Sequence, residues 1–260
     1  KPQASRSGTL VLGANSLTEV LPDRSSTDTA IDLQAQPLSR VDAAGGTIEM
    51  HGGAAIVATG GNVNLNVSPG TAAAPDFRPT IYLADGSRID VSGDDTAQVA
   101  MERNQGRIKL FGNELADSPV QRDGPLARQE IDVDLRYGTP ITDISRLRDD
   151  IKRGVAERLS AGGTVTLDAQ GAQADVVLER DSVVDFSGGQ VRYLDGFLET
   201  TKLVGLNGEV VDIRSADPNT PYAGIYGNFR VRHERWGITE EFAGYGGGAE
   251  FHPGYVEGKD

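Results

Sequence analysis

One phrase recurs along this chain and restricts what it can fold into. A Gly or Gly-Gly pair is followed by four or five residues that alternate apolar and polar, and then by a polar turn. It reads Gly8-Thr-Leu-Val-Leu12, Gly45-Gly-Thr-Ile-Glu-Met50 and Gly60-Gly-Asn-Val-Asn-Leu-Asn-Val67. Thr80-Ile-Tyr-Leu83, Gly106-Arg-Ile-Lys-Leu110 and Gly162-Gly-Thr-Val-Thr-Leu167 continue the series. Strict alternation marks strands with one buried and one wet face. Val63, Leu65 and Val67 fall on one face, and Asn62, Asn64 and Asn66 on the other.

A second phrase accompanies the first. Ile89-Asp-Val-Ser-Gly93 returns as Val184-Asp-Phe-Ser-Gly188, an imperfect internal repeat about 95 residues apart. Strand starts crowd together: Thr164, Asp175 and Ser182 open three strands in under 20 residues. Short strands joined by short corners suit a parallel β-helix, in which each coil covers its neighbours. Asn-Gly occurs once, at Asn207-Gly208, so tight two-residue hairpins are scarce. Stacking coils at about 4.8 Å pairs every backbone group with the coil above and below. An antiparallel sandwich or barrel also shows short strands and Gly turns, and stands as the alternative.

Composition agrees with a narrow core. Gly makes up 33 of 260 residues, aromatics are only 6%, and Trp236 is the sole tryptophan. Val, Ile, Leu and Ala fill such a core without large rings. The net charge of −13 repels phosphate backbones, so no nucleic-acid partner is expected. With no cysteine, disulfides and thiolate metal sites are excluded. No run is long and apolar enough for a transmembrane helix; the long uncharged stretch from Ala54 to Pro75 is broken by Gly, Asn, Ser and Pro. The chain opens on Lys1-Pro2-Gln3, with neither a signal peptide nor an initiator Met, and is expected to be a processed or internal segment. Both of its ends are expected to be cut coils that would associate end to end.

The pattern divides the chain into four stretches. Residues 1–113 and 161–195 read as β-solenoid coils. Residues 114–160 read as an irregular excursion ending in one short amphipathic helix, and 196–260 as an aromatic-rich flap continuing the solenoid. The helix is placed at about 143–160, because Ile144, Leu147, Ile151, Val155 and Leu159 recur every three or four residues. Asp143 is its expected N-cap, and Gly162 lies just past its end. Its apolar face is expected to cover a strip of the solenoid.

Catalytic chemistry finds little support. A polysaccharide-cleaving β-helix needs converging carboxylates with a base or Ca²⁺. The candidates are Asp85, Asp90, Asp94 and Asp95 with Arg88. Asp90 points away from Ile89 and Val91, and Asp185 occupies the same place in the repeat, which reads as a structural position. His51, His233 and His252 have no metal-site spacing, and Gly244-Tyr-Gly-Gly-Gly248 follows no clear strand. No catalytic residue, metal or cofactor is assigned. Eight of the fifteen aromatics fall between Tyr222 and Tyr255. Among them Tyr222, Tyr226, Trp236, Tyr245 and Tyr255 form the candidate ligand or partner patch. Local packing with Trp236 as the buried anchor of the flap is the competing reading.

The last hundred residues are the most distinctive. Thr200-Thr-Lys-Leu-Val204, Asp212-Ile-Arg-Ser-Ala-Asp-Pro218, Tyr222-Ala-Gly-Ile225, Arg235-Trp-Gly237 and Gly254-Tyr-Val-Glu-Gly258 resemble the interior of filamentous-haemagglutinin-like exoproteins of two-partner secretion. Ile89-Asp-Val-Ser-Gly93 and Gly162-Gly-Thr-Val-Thr-Leu167 are similar to phrases of the same family. The resemblance implies an all-β, right-handed parallel β-helix, exported through an outer-membrane transporter. It also implies a non-catalytic adhesive or structural role at the bacterial surface, with glycans or proteins of host or bacterial surfaces as partners. A polysaccharide-binding or polysaccharide-degrading β-helix and a self-assembling filament subunit are the alternatives.

Overall fold

The computed structural model describes residues 8–31, 37–70, 77–233, 236–243 and 248–260; of 228–233 and 239–243 it describes the backbone alone. The chain is mostly β, with three short α-helices among the described residues. It divides into two compact units. The first comprises 1–98, 152–192 and 256–260, and the second 99–151 and 193–255. Both are discontinuous in sequence, unlike the four linear stretches.

The first unit is built on three parallel sheets. One sheet stacks Thr9–Leu12, Thr47–Met50, Thr80–Leu83 and Asp175–Leu178 in that order. The next stacks Leu17–Glu19, Ala55–Val57, Arg88–Asp90 and Val183–Asp185. The third stacks Arg40–Gly45, Asn62–Val67 and Thr164–Ala169. Strands that follow one another in the chain belong to different sheets, and every sheet neighbour lies in an adjacent tier. A further sheet orders Tyr255–Gly258, Gln190–Tyr193 and Ala97–Val99.

Register explains the core. Leu10, Ile48, Ile81 and Val176 align in one sheet, as do Val41, Val63 and Val165 in another. Because a strand alternates with period two, in-register stacking puts every such residue on the same face. Ile48, Met50, Ile56, Val63, Leu65, Ile81, Leu83, Ile89 and Val91 are buried in one cluster. The repeated phrase is a direct stacking contact: Ile89 pairs Val184, and Asp90 pairs Asp185. Its 95-residue spacing arises because residues 99–151 belong to the second unit. Glycine at the corners is required by close approach, since a Cβ on Gly163 would run into the Gly61 carbonyl oxygen.

The second unit is antiparallel. Gln105–Lys109 pairs Glu130–Asp134, and Gly196–Leu198 pairs Glu250–His252. A five-stranded sheet orders Val210–Asp212, Lys202–Gly205, Tyr222–Ile225, Asn228–His233 and Ile238–Ala243. Leu110, Leu126, Ile131, Val133, Leu203 and Ile213 are buried together. The Gly106 phrase therefore forms a strand as expected, but in an antiparallel pair. Its partner Glu130–Asp134 lies inside the stretch read as irregular.

The single helix at 143–160 is corrected to two. One spans Ser145–Asp149 and the other Val155–Arg158. Between them Arg153 leaves helical pairing to exchange backbone hydrogen bonds with Ala30, and Gly154 follows. The apolar stripe serves two cores: Ile144, Leu147 and Ile151 pack into the second unit, whereas Val155 and Leu159 belong to the first. Asp143 is not the N-cap expected of it: Ile144 takes that position with no side-chain cap, and Asp143, one residue earlier, accepts from the Ser145 amide at Oδ1 at 2.9 Å.

Candidate functional site

Aspartates close the corners of the first unit. Asp90 Oδ1 accepts from the Ser92 amide at 2.9 Å and from its hydroxyl at 2.6 Å. Asp185 repeats this with Ser187, at 3.1 and 2.7 Å, and Asp94 with Thr96, at 2.6 Å for both bonds. These are Asx turns, in which a short carboxylate satisfies the backbone two residues on. The Ser187 hydroxyl and amide bonds hold the Asp185 carboxyl below the usual carboxylate range. Arg88 bridges Asp90 and Asp185 across tiers, and Arg24 pairs with the buried Asp94. Among the described residues no group of three or more His, Asp or Glu side chains converges in a metal-binding geometry.

A different arrangement appears in the second unit. Its sequence holds the phrase Val-Asp-apolar-Arg twice, as Val133-Asp-Leu-Arg136 and Val211-Asp-Ile-Arg214. Each ends a strand with an Asx turn whose third residue is arginine. Asp134 Oδ1 accepts from both the amide and Nε of Arg136 at 2.9 Å, and Oδ2 accepts from Nη2 at 2.6 Å. Asp212 holds Arg214 likewise, at 2.9, 2.9 and 3.1 Å. Such forked pairing fixes the guanidinium plane as well as its charge. Burial pushes the Asp212 carboxyl up, but the Arg214 hydrogen bonds and charge outweigh it and the pKa is lowered.

Both fixed guanidiniums lie beside one ring. The carbon at the centre of the Arg136 guanidinium is 5.3 Å from the centroid of Tyr137, and that of Arg214 is 5.9 Å away. Arg136 is also 5.6 Å from the ring of Tyr255, which stacks on Tyr193 at 4.5 Å with planes 9° apart. All three guanidinium–ring distances fall within the range of cation–π attraction. His252 Nδ1 lies 3.1 Å from Arg136 Nη2 and must accept there, which places the ring proton of the neutral form on Nε2. Glu250 lies 3.1 Å from Lys202 and 3.7 Å from Arg214.

No family model matches this sequence, and no curated protein or solved structure is significantly similar to it. The site therefore has to be read from its own geometry.

Three cations, Arg136, Arg214 and Lys202, are matched by three carboxylates, Asp134, Asp212 and Glu250. The arginine forks are already engaged, so the cluster offers no strong anion site. What it does present is Tyr137, a residue 65% exposed with two oriented guanidiniums beside its ring. An exposed ring beside fixed hydrogen-bonding groups suits a neutral sugar or a partner's apolar side chain.

The aromatic patch expected from sequence meets this site at one residue, Tyr255. Tyr222 is buried in the core, and its hydroxyl accepts from the Asp217 amide at 2.8 Å. Burial pushes its phenol pKa up. Tyr226 is half-buried, and Tyr245 lies outside the described residues. Trp236 is 67% exposed and so is not the buried anchor expected of it. The reason is its position in the turn between Asn228–His233 and Ile238–Ala243, where Gly237 takes φ of 62°. Sequence reading missed Arg136, Tyr137, Tyr193 and Arg214. The doubled Val-Asp-apolar-Arg phrase was the signal that would have found the arginines.

Proposed function

We propose that this chain is a non-catalytic structural and adhesive segment of a secreted bacterial surface fibre. In this reading the three parallel sheets are the faces of a right-handed β-solenoid, and the second unit is formed by two segments of the chain, 99–151 and 193–255. The observation that carries the proposal is the in-register stacking of the same three strand positions through successive tiers. A stack of this kind extends in one dimension without needing a larger core. Two further points support it. The aspartates of the repeated phrase are occupied in corner turns, and Tyr137 is exposed beside fixed polar groups, as stacking on a glycan would require.

Export through an outer-membrane transporter belongs to the same reading and rests on the resemblance in residues 196–260. The adhesive role is tested by offering the purified chain to arrayed neutral and acidic glycans and to intact bacterial and epithelial cells. Binding to a neutral glycan that falls at least about tenfold with Tyr137→Ala supports it, a loss in the range of one stacked aromatic contact. Binding nowhere, or binding indifferent to Tyr137, removes it. Release of new reducing ends from a polysaccharide would replace it with the enzymatic alternative.

A further inference from the structure

One peptide bond of the second unit is surrounded by groups suited to breaking it. Asp217-Pro218 is the sole Asp-Pro pair in the sequence. An Asp-Pro bond is the most acid-labile of ordinary peptide bonds. Its aspartate can attack its own carbonyl carbon, and the proline nitrogen is a better leaving group than a secondary amide nitrogen.

Both the carbonyl and the carboxylate of Asp217 are held by donors. The carbonyl oxygen accepts from the Thr220 amide at 3.2 Å and from the Tyr222 hydroxyl at 3.2 Å. The Thr220 bond is what a β-turn with proline at its second position supplies. The Tyr222 bond is additional. The Tyr222 hydroxyl accepts from the Asp217 amide at 2.8 Å, which leaves its own proton to point at the carbonyl oxygen. Tyr222 is buried, and burial raises its phenol pKa, so that proton is retained. On the carboxylate, Oδ1 accepts from the Asn219 amide at 2.9 Å and Oδ2 from the Thr220 hydroxyl at 2.7 Å. These bonds hold the carboxyl below the usual carboxylate range. Gln121, itself buried, fixes the residues after the bond: its Nε2 donates to the Pro218 carbonyl at 3.1 Å and to the Thr220 carbonyl at 2.7 Å. Asp217 is exposed, so water reaches it.

The geometry points to Asp217–Pro218 as a self-cleavage site of this chain. A carboxylate oxygen of Asp217 bonds to the Asp217 carbonyl carbon and closes a five-membered ring. The carbonyl oxygen becomes an oxyanion between the Tyr222 hydroxyl and the Thr220 amide, two donors already in place for it. When the oxyanion collapses, the bond to the proline nitrogen breaks. That nitrogen takes a proton from solvent and leaves as a secondary amine. One water then opens the cyclic anhydride and leaves Asp217 with two carboxyl groups. Each chain reacts once and on itself, so no activity on a separate substrate is implied. The two pieces would stay together after the cut, because Lys202–Gly205 lies before it and its antiparallel partner Tyr222–Ile225 lies after it.

The test follows intact mass after denaturation, for the whole chain and for the same chain kept unfolded in guanidinium. Held for days at about pH 5, where Asp217 is ionised, the folded chain should yield pieces ending at Asp217 and beginning at Pro218. The cut should run at least about tenfold faster than in guanidinium, since one fixed oxyanion donor is worth that much or more. Asp217→Glu, at an exposed position, should stop it, because the longer side chain cannot close the same ring. Tyr222→Phe keeps the aromatic ring and removes the hydroxyl, and should slow the cut about tenfold or more. A folded chain that stays intact overturns the inference. So does a cut no faster than in guanidinium, a cut at another bond instead, or Asp217→Glu cleaved at the native rate. Tyr222→Phe cleaved at the native rate, with circular dichroism showing it folded, overturns it as well; if that variant does not fold, Asp217→Glu decides. None of these outcomes involves glycan binding, so this inference and the adhesive role fail separately.

Discussion

Leu83 and Leu178 occupy the same inward-facing position in consecutive tiers, yet one is fully buried and the other 52% exposed. Truncating each to alanine removes the same atoms from different surroundings. At Leu83 the change deletes a fully buried side chain between Met50 and Leu178 and leaves a cavity. Substitutions of this kind cost about 3 kcal/mol, because lost transfer energy and lost packing add. At Leu178 about half the transfer energy of a leucine is at stake and no closed cavity forms, so the expected cost is about 1 kcal/mol. For a unit of this size that separates the thermal midpoints: about 6–12 °C lost at Leu83 and about 2–4 °C at Leu178. Thermal melts followed by far-ultraviolet circular dichroism check this. Trp236 fluorescence is no substitute, since that residue lies in the second unit. Equal losses at the two positions would refute the reasoning. They would mean that Leu178 is as well packed as Leu83, or that the stacked strands do not share one core.

Two further outcomes follow from particular contacts. Gly163→Ala should cost about 1–3 kcal/mol in the same melts, because its Cβ would meet rigid backbone at Gly61; Gly13→Ala, with open space around it, should change little. Asp212 has a lowered pKa when folded, so its contribution is present above the ordinary carboxylate value and is lost as pH falls through the lower folded value. Asp212→Asn should therefore flatten the acid side of the stability profile below about pH 4, read from near-ultraviolet dichroism of the Tyr193–Tyr255 stack; an unchanged slope would contradict the pairing.

The first unit was legible because its information is local. A strand such as Asn62–Val67 carries its own alternation, and the stacked partners Val41, Val63 and Val165 repeat the same residue type at the same offset. The second unit was less legible. Glu130–Asp134 alternates over five residues only, and what makes it a strand is its antiparallel partner, 25 residues away from Arg107 to Asp132. The helix at 143–160 failed for a related reason. Its stripe has the correct period, but period cannot reveal that Ile151 and Leu159 belong to different units. Aromatic density misled as well. The window from Tyr222 to Tyr255 is rich in rings, but a buried Tyr222 and an exposed Trp236 are placed by strand pairing and hairpin geometry, not by density.

The candidate site and the corner turns turn out to use one local device. In Asp90-Val-Ser92 and Asp212-Ile-Arg214 alike, an aspartate accepts from the amide two residues on, at 2.9 Å in both. The third residue decides the result. Serine returns a short hydroxyl to the same carboxylate and leaves a compact corner on which another tier can stack, as Asp185 stacks on Asp90. Arginine returns a guanidinium whose far side projects beyond the turn, and at 134–136 and 212–214 it reaches the ring of Tyr137. Backbone geometry is therefore shared between the corner turns of the first unit and the arginine-bearing turns of the second. The residue two after the aspartate thus decides whether the turn closes on a hydroxyl or carries a planar cation beside the ring of Tyr137.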